Sequence, residues 1–183
     1  MSPTSYQSPL EGIDTSTPLP TTKNADGKSL TNLPPTVRSP AYDEFVAPIT
    51  KAGFDFHIYY MENIPTQKQF ARELHERIRR DFTSRPSGRD PSVRLLTSHP
   101  SLHIPLHALF NQPDALPGPH PVAMFEVDTF TPHTTGVLFS WLAVHRGPLS
   151  VLIHPNTGDD YRDHTELPIW MGQPWPLAVE LLK

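Results

Sequence analysis

The chain has 183 residues with 23 prolines, no cysteine and a formal net charge of −4 when histidine is neutral. This length allows one ordinary domain plus a tail, and the lack of cysteine excludes disulfides, thiolate zinc sites and iron–sulfur clusters, so a metal would need His, Asp or Glu ligands. The charge argues against a nucleic-acid partner, and because we find neither a long apolar run nor a signal peptide, we expect a cytoplasmic protein without a membrane partner.

Residues 1–48 are rich in Pro, Ser and Thr and poor in aromatic residues. Such a composition buries too little apolar area to offset the entropy of ordering. We therefore predict that residues 1–48 form a disordered tail and that residues 49–183 form one domain. Only the end of the tail, residues 42–46, is expected to dock on that domain.

The first half of the domain begins with an alternating aromatic run. Residues 54–60 place Phe54, Phe56 and Ile58 on one face, which predicts a strand. Apolar residues then recur at helical spacing over residues 66–82, which predicts the first helix. Residues 93–97 are interpreted as a second strand. A proline-rich loop with four histidines follows over residues 98–121.

The second half repeats the pattern. Residues 121–130 alternate as a third strand, residues 134–145 form an apolar second helix, and residues 149–153 form a fourth strand. The order predicts an α+β, ferredoxin-like βαββαβ fold: an antiparallel sheet with both helices on one face. We expect the spatial strand order 4-1-3-2, with strands 1 and 3 parallel at the centre.

The other face of this sheet is expected to be open. Val122 and Met124 would be exposed there unless a second chain or the C-terminal segment covers them. We therefore predict a homodimer.

Three histidines fall at one end of this arrangement, namely His57 in strand 1, His120 just before strand 3 and His154 at the end of strand 4. Alternation turns the side chains of His57 and His154 to the open face, together with Glu126. Imidazole and carboxylate with open positions form the ligand set of non-heme Fe(II) oxygenases, and three histidines also suit zinc. His75, His133 and His145 are interpreted as surface or hydrogen-bonded residues. A functional role for the loop residues His99, His103 and His107 is the less favoured alternative.

The segment after strand 4 is unusual. The strand ends in His154-Pro155, an Asn-Thr-Gly turn follows, and then come Asp159, Asp160, Asp163 and His164. A second imidazole held near His154 by this turn could move protons.

Several motifs resemble the DOPA 4,5-dioxygenase family of small fungal and bacterial enzymes. The resemblance covers residues 54–176, and its most specific block runs from His154 to Asp160 and on to His164. The other matching motifs are Phe56-His57-Ile58-Tyr59-Tyr60, Gly118-Pro119-His120-Pro121, Trp141-Leu142 through Arg146-Gly147, and Trp170-Met171-Gly172.

The resemblance implies an extradiol-type dioxygenase that opens the ring of L-DOPA or a related catechol with O₂ at a non-heme Fe(II), giving seco-DOPA products and betalain-type pigments. It implies His57, His120 and His154 as metal ligands, Glu126 as a further ligand or an orienting residue, and His164 as the catalytic acid or base. Many members carry His-x-His in the first strand, whereas this chain has Asp55-Phe56-His57.

Substrate-binding residues are predicted from the same region. Arg146 and Arg162 are candidates for a substrate carboxylate, although solvated surface charge is the simpler interpretation of each. Asp55 and Tyr59 share the open face with His57. The alternative function is a non-catalytic, dimeric ferredoxin-like protein that binds a metal or small ligand.

Overall fold

In the computed structural model, the described residues are 8–32, 39–49, 53–82, the backbone of 93–94, and 118–183. The chain divides into two units, Met1–Arg38 and Ser39–Lys183. The second unit contains all the named elements: β1 Phe54–Tyr59, α1 Pro65–Phe82, β2 Val93–Arg94, β3 Met124–Thr129, α2 Pro132–His145, β4 Ser150–Pro155, α3 Asp160–Thr165, β5 Ile169–Met171, and short 3₁₀ helices at Pro40–Tyr42 and Val179–Leu182.

The N-terminal residues make local contacts within each unit. In the first unit, an isolated bridge joins Lys23 to Leu30. In the second, the ring of Phe45 packs against that of Phe54 with centroids 5.5 Å apart, so part of the segment expected to dock does contact β1. The disordered tail and its boundary at residue 48 stay predictions.

The sheet has five strands in the order β2-β3-β1-β4-β5, and every neighbouring pair is antiparallel. The α+β class and the ferredoxin-like order of the first four strands are confirmed. The short edge strand β5 was not predicted, because three residues after Pro168 carry no periodic signal. No helix among the described residues is long and apolar enough to span a membrane.

The expectation that strands 1 and 3 are parallel was wrong. Phe54 lies opposite Thr129 and Tyr59 lies opposite Met124, so β1 and β3 run in opposite directions. The reason is topological: a helical crossover returns the second strand parallel to the first, and the next connection reverses the chain again. The start of β3 therefore lies beside the end of β1.

Alternation along the strands separates an apolar face from a polar one. The apolar face packs against α1 and α2 through residues that are almost fully buried: Phe56, Ile58, Phe125, Val127, Val151 and Ile153 from the strands, with Leu74, Ile78, Leu138 and Leu142 from the helices. Each such side chain contributes roughly 1.5–3 kcal/mol. This core fixes the direction of the alternate residues, which include the histidines.

The C-terminal segment covers the apolar part of the other face. Met124 and Leu152 are buried under Trp170, Trp175 and Leu177. The backbone N–H of Ala178 donates to the carbonyl of Pro119 at 2.8 Å, which ties this segment to the approach to β3. The bare apolar face that motivated the homodimer prediction is thus covered within the chain, and the homodimer stays a prediction without that support.

His75 is a core residue of α1. Its exposed fraction is 8%, and its ring meets that of Phe125 edge-on at 5.3 Å. Burial, reinforced by the charge of Arg79, lowers the pKa of His75 to about 4 from an ordinary value of 6.5. The neutral form is therefore the one that the fold accommodates.

Acid is expected to destabilise the protein through His75. Because its pKa is lowered on folding, the stability linked to neutral His75 is present above pH 6.5 and is lost as the pH falls toward about 4. We expect His75→Leu to reduce the drop in unfolding free energy between pH 7 and pH 5 by about 1 kcal/mol, after allowance for solvent screening. Urea denaturation at both pH values measures this drop. His133→Leu, at an exposed position of α2, is the control, and an unchanged drop in His75→Leu would contradict the prediction.

Candidate metal centre

His57 and His154 meet on adjacent strands. In the register of β1 and β4, Asp55 lies opposite His154 and His57 lies opposite Leu152, so the two histidines are diagonal neighbours on the polar face. Their Nε2 atoms are 2.9 Å apart, and the residues are only 4% and 3% exposed. The sequence-based expectation that these two side chains converge agrees with this geometry.

His164 joins them from α3. Asp163, which is almost fully buried, accepts hydrogen bonds from the backbone N–H of Thr157 at 2.8 Å and from its hydroxyl at 2.6 Å. This fixes α3 against the turn after β4, and the His164 ring lies 4.1 Å from that of His154. One ring nitrogen from each of His57, His154 and His164 lies within 4.8 Å of the other two. We call these three residues the histidine trio.

Hydrogen bonds fix the tautomers of two of the three histidines. Nδ1 of His154 donates to the carbonyl of Pro155 at 3.0 Å, and Nδ1 of His164 donates to the carbonyl of Asp160 at 2.8 Å. Nδ1 of His57 faces Oε2 of Glu126 at 3.3 Å. Because a nitrogen that contacts a carbonyl oxygen must carry the proton, Nε2 of His154 and His164 keeps its lone pair.

This arrangement fits a metal ion. A lone pair on Nε2 of His154 lies 2.9 Å from Nε2 of His57, which requires either a shared proton or a cation. Two nitrogens bound to one ion at about 2.0–2.1 Å and at a right angle would be about 2.9 Å apart. The donor set of the trio therefore suits a transition metal with open coordination positions.

Burial favours the neutral form of these imidazoles. Desolvation lowers the pKa of His57 well below its ordinary value, and the neighbouring histidines add to the effect. The pKa values of His154 and His164 are also lowered, mainly by burial. Neutral imidazole is the form that binds metal ions.

His120 lies beside the trio. Its ring is 4.4 Å from that of His57, but its Nδ1 forms a 2.7 Å hydrogen bond with the hydroxyl of Tyr59, and its nitrogens lie outside the 4.8 Å group. Burial lowers the pKa of His120 to about 3. The antiparallel course of β3 explains this placement, because residues before β3 approach from the Tyr59 end of β1. Geometrically, His164 takes the place that was predicted for His120.

Glu126 belongs to a second group. One carboxylate oxygen from each of Asp55, Glu126 and Asp128 lies within 4.8 Å of the others, and we call these residues the carboxylate trio. Glu126 faces Nδ1 of His57, on the side of the ring away from His154. This position suits an orienting residue better than a ligand. Asp55 accepts a 2.7 Å hydrogen bond from Nδ2 of Asn156. Asp128 was missed in the sequence, although its alternation with Glu126 was a usable signal.

The two predicted carboxylate-binding arginines have other partners. Nη1 of Arg146 donates to the carbonyl of Leu149 at 2.7 Å, at the start of β4. Arg162 is exposed on α3, where its Nε lies 3.3 Å from Oε2 of Glu166. Neither residue contacts the histidine trio in the described part of the chain, and their substrate roles stay predictions. His99, His103 and His107 lie outside the described residues.

Aromatic rings line the His120 side. Tyr59 stacks on Trp170 with centroids 5.6 Å apart. Trp175 packs in the same apolar cluster. Packing of the C-terminal segment thus accounts for both tryptophans, and Trp170 also forms a flat surface next to the tyrosine that bonds to His120.

A sheet of this order, carrying buried histidines and carboxylates on the face away from its helices, defines an α+β protein with a potential metal site. The Dopa 4,5-dioxygenase family matches residues 54–181. The chain belongs to this family.

Two relatives and one solved structure are similar to it. The "Uncharacterized 21.2 kDa protein" of Botryotinia fuckeliana is 41% identical over 97% of this chain and 91% of its own length. The DOPA 4,5-dioxygenase of Amanita muscaria is 34% identical over 68% of this chain, and the match spans 46% of that protein. A candidate dioxygenase from Nostoc punctiforme has a TM-score of 0.51 and 26% identity, over 74% of this chain and 92% of the solved chain.

Proposed function

We propose that this protein is an extradiol-type dioxygenase that opens the ring of L-DOPA or a related catechol with O₂ and gives a seco-DOPA product. The observation that carries the proposal is the convergence of ring nitrogens from His57, His154 and His164 within 4.8 Å. Membership of the Dopa 4,5-dioxygenase family supports the reaction class.

The metal we propose is non-heme Fe(II), held by the histidine trio. Three neutral imidazoles leave coordination positions for both oxygens of a catecholate and for O₂. Zinc also accepts three histidines, but it has no redox chemistry. When bound, iron would supply the Lewis acidity and the electron transfer between catechol and O₂ that ring opening requires.

The surrounding residues orient these ligands. Backbone carbonyls of Pro155 and Asp160 hold the rings of His154 and His164, and the carboxylate of Glu126 faces the third ring. Such partners set the direction in which each Nε2 points.

Tyr59 and His120 are proposed to form a hydrogen-bond donor at the site. Burial, with the nearby charge of Glu126, raises the pKa of Tyr59, so its hydroxyl keeps its hydrogen and donates to Nδ1 of His120. The neutral His120 ring then carries its own hydrogen on Nε2, beside His57. This N–H is a suitable hydrogen-bond donor to a substrate oxygen. The acid–base role of His164 stays a prediction.

Oxygen consumption tests the proposal. Protein loaded with Fe(II) without air is mixed with aerated L-DOPA, and an oxygen electrode and visible absorbance follow the reaction. We expect one O₂ consumed per L-DOPA and a yellow product. L-Tyrosine, which lacks the second hydroxyl, is the matched control and should consume none. Metal binding without oxygen uptake on any of a panel of catechols would contradict the proposal and favour the non-catalytic metal-binding alternative.

A further inference from the structure

The carboxylate trio has an unusual composition for a buried site. In the register of β1 and β3, Asp55 lies opposite Asp128, and His57 lies opposite Glu126. Asp128 is only 3% exposed, and one of its carboxyl oxygens lies within 4.8 Å of an oxygen from each of Glu126 and Asp55. Asp128 is the most deeply buried member of the trio.

A hydrogen bond between two carboxyl groups requires a proton. Burial first, and then the charges of Glu126 and Asp55, raise the pKa of Asp128 to about 10. Among the residues with described side chains, no Lys or Arg forms an ion pair with the trio. The backbone of Arg94 lies opposite Asp128 in the register of β2 and β3. A requirement for a negative charge at position 128 is therefore the rival explanation.

Two unsatisfied atoms lie at the same place. Within the described part of the chain, the buried side-chain atoms without a hydrogen-bond partner are Nδ1 of His57 and Oδ1 of Asp128. Nδ1 of His57 has Oε2 of Glu126 at 3.3 Å, within ion-pair range but without the alignment of a hydrogen bond. Because unsatisfied buried polar groups are rare in native proteins, two of them together point to a functional role for this place.

We propose that Asp128 is a positioning residue that holds Glu126 against Nδ1 of His57. Nε2 of His57 is thereby directed toward the other two members of the histidine trio. The inference rests on the proposed function, since it assigns His57 as a ligand. The Asp55 side of the carboxylate trio is also fixed. Asn156 donates its side-chain N–H to Asp55 and its backbone N–H to the carbonyl of Gly53 at 2.9 Å. These contacts thus connect the backbone at Gly53, through the carboxylate trio, to the ring of His57.

Two substitutions separate a hydrogen-bond donor from a charge. Asp128→Asn keeps the shape and supplies an N–H donor to Glu126, whereas Asp128→Leu has a similar volume and no donor. Both variants and the wild type are loaded with Zn²⁺, which is diamagnetic. NMR follows the Nδ1–H proton of His57, and titration measures Zn²⁺ affinity. Glu73→Leu, on the exposed side of α1, is the matched control.

We expect the Nδ1–H signal of His57 in the wild type and in Asp128→Asn, with Zn²⁺ affinities within about 3-fold of each other. In Asp128→Leu the signal is lost to exchange, and affinity falls about 10–100-fold. An unchanged Asp128→Leu would overturn the proposal. So would an Asp128→Asn that behaves like Asp128→Leu, because charge would then be the requirement. Loss of a second equivalent of Zn²⁺ in either variant would also overturn it, because the trio would then be a cation site.

Failure of the proposed function gives a different pattern. If Zn²⁺ binds as expected but iron-loaded protein consumes no oxygen with any catechol, the dioxygenase proposal fails and the role of Asp128 stands. If Asp128→Leu alone is without effect, the positioning role fails and the dioxygenase proposal stands. A wild type that binds no Zn²⁺ overturns both.

Discussion

Replacing His154 by alanine is expected to abolish oxygen consumption and to weaken metal affinity by at least about 100-fold. His154 supplies one of three converging nitrogens, and its Nε2 lies 2.9 Å from that of His57. Loss of a ligand should exceed the 10–100-fold effect that is typical of losing a residue hydrogen-bonded to a ligand. Metal content after dialysis and a titration with Fe(II) under nitrogen measure the effect.

His145→Ala is the matched control for His154→Ala. His145 lies at the end of α2, where it is exposed and stacks on Trp141 at 4.5 Å, and it should keep both metal and activity. Circular dichroism establishes whether His154→Ala is folded. A folded His154→Ala that still binds one metal ion with wild-type affinity would remove His154 from the site.

The second large effect is expected for His120→Ala, which should keep its metal affinity but lose turnover. Because the nitrogens of His120 lie outside the trio and its Nδ1 is bonded to Tyr59, His120→Ala should keep the metal. Loss of a positioned hydrogen-bond donor to the substrate should lower kcat by about 10²–10³-fold. Tyr59→Phe, which removes the hydroxyl partner, should lower kcat by about 10-fold.

Stopped-flow turnover and metal analysis on the same samples measure this separation. Tyr161→Phe, an exposed tyrosine of α3, is the control for Tyr59→Phe. A His120→Ala variant that loses its metal would return His120 to the ligand set first predicted for it. Wild-type kcat in that variant would rule out the role of His120 as a hydrogen-bond donor.

Alternation along single strands was enough to predict that two members of the histidine trio converge. The pattern around Phe56 and Ile58 turned His57 to the polar face, and the pattern around Val151 and Ile153 did the same for His154. Both predictions depend on local periodicity and on one neighbour relation, between the first and last strands. Burial of the alternate residues enforces each of them.

The direction of β3 was the main error, and it moved His120. Placing β3 parallel to β1 set His120 at the same sheet edge as His154, whereas the antiparallel register brings it in beside Tyr59. Periodicity alone carries no information about strand direction.

The sequence could not predict that His164 would lie beside His57 and His154 in the histidine trio. It depends on α3, whose six residues are too few for a periodic signal. Its placement is set by Asp163, whose two hydrogen bonds to Thr157 close the turn. The sequence showed the turn residues and the acidic cluster, but not which of the four acidic and imidazole side chains would face inward.

The sequence distance between the two central nitrogens has a kinetic consequence. His57 and His154 are 97 positions apart, and they meet only when β1 and β4 pair. Such non-local pairing is slow, because loop closure must precede the contacts that reward it. Before these strands pair, the chain brings together at most the local pair His154 and His164. Ion capture by all three imidazoles therefore follows the pairing of β1 and β4 rather than guiding it.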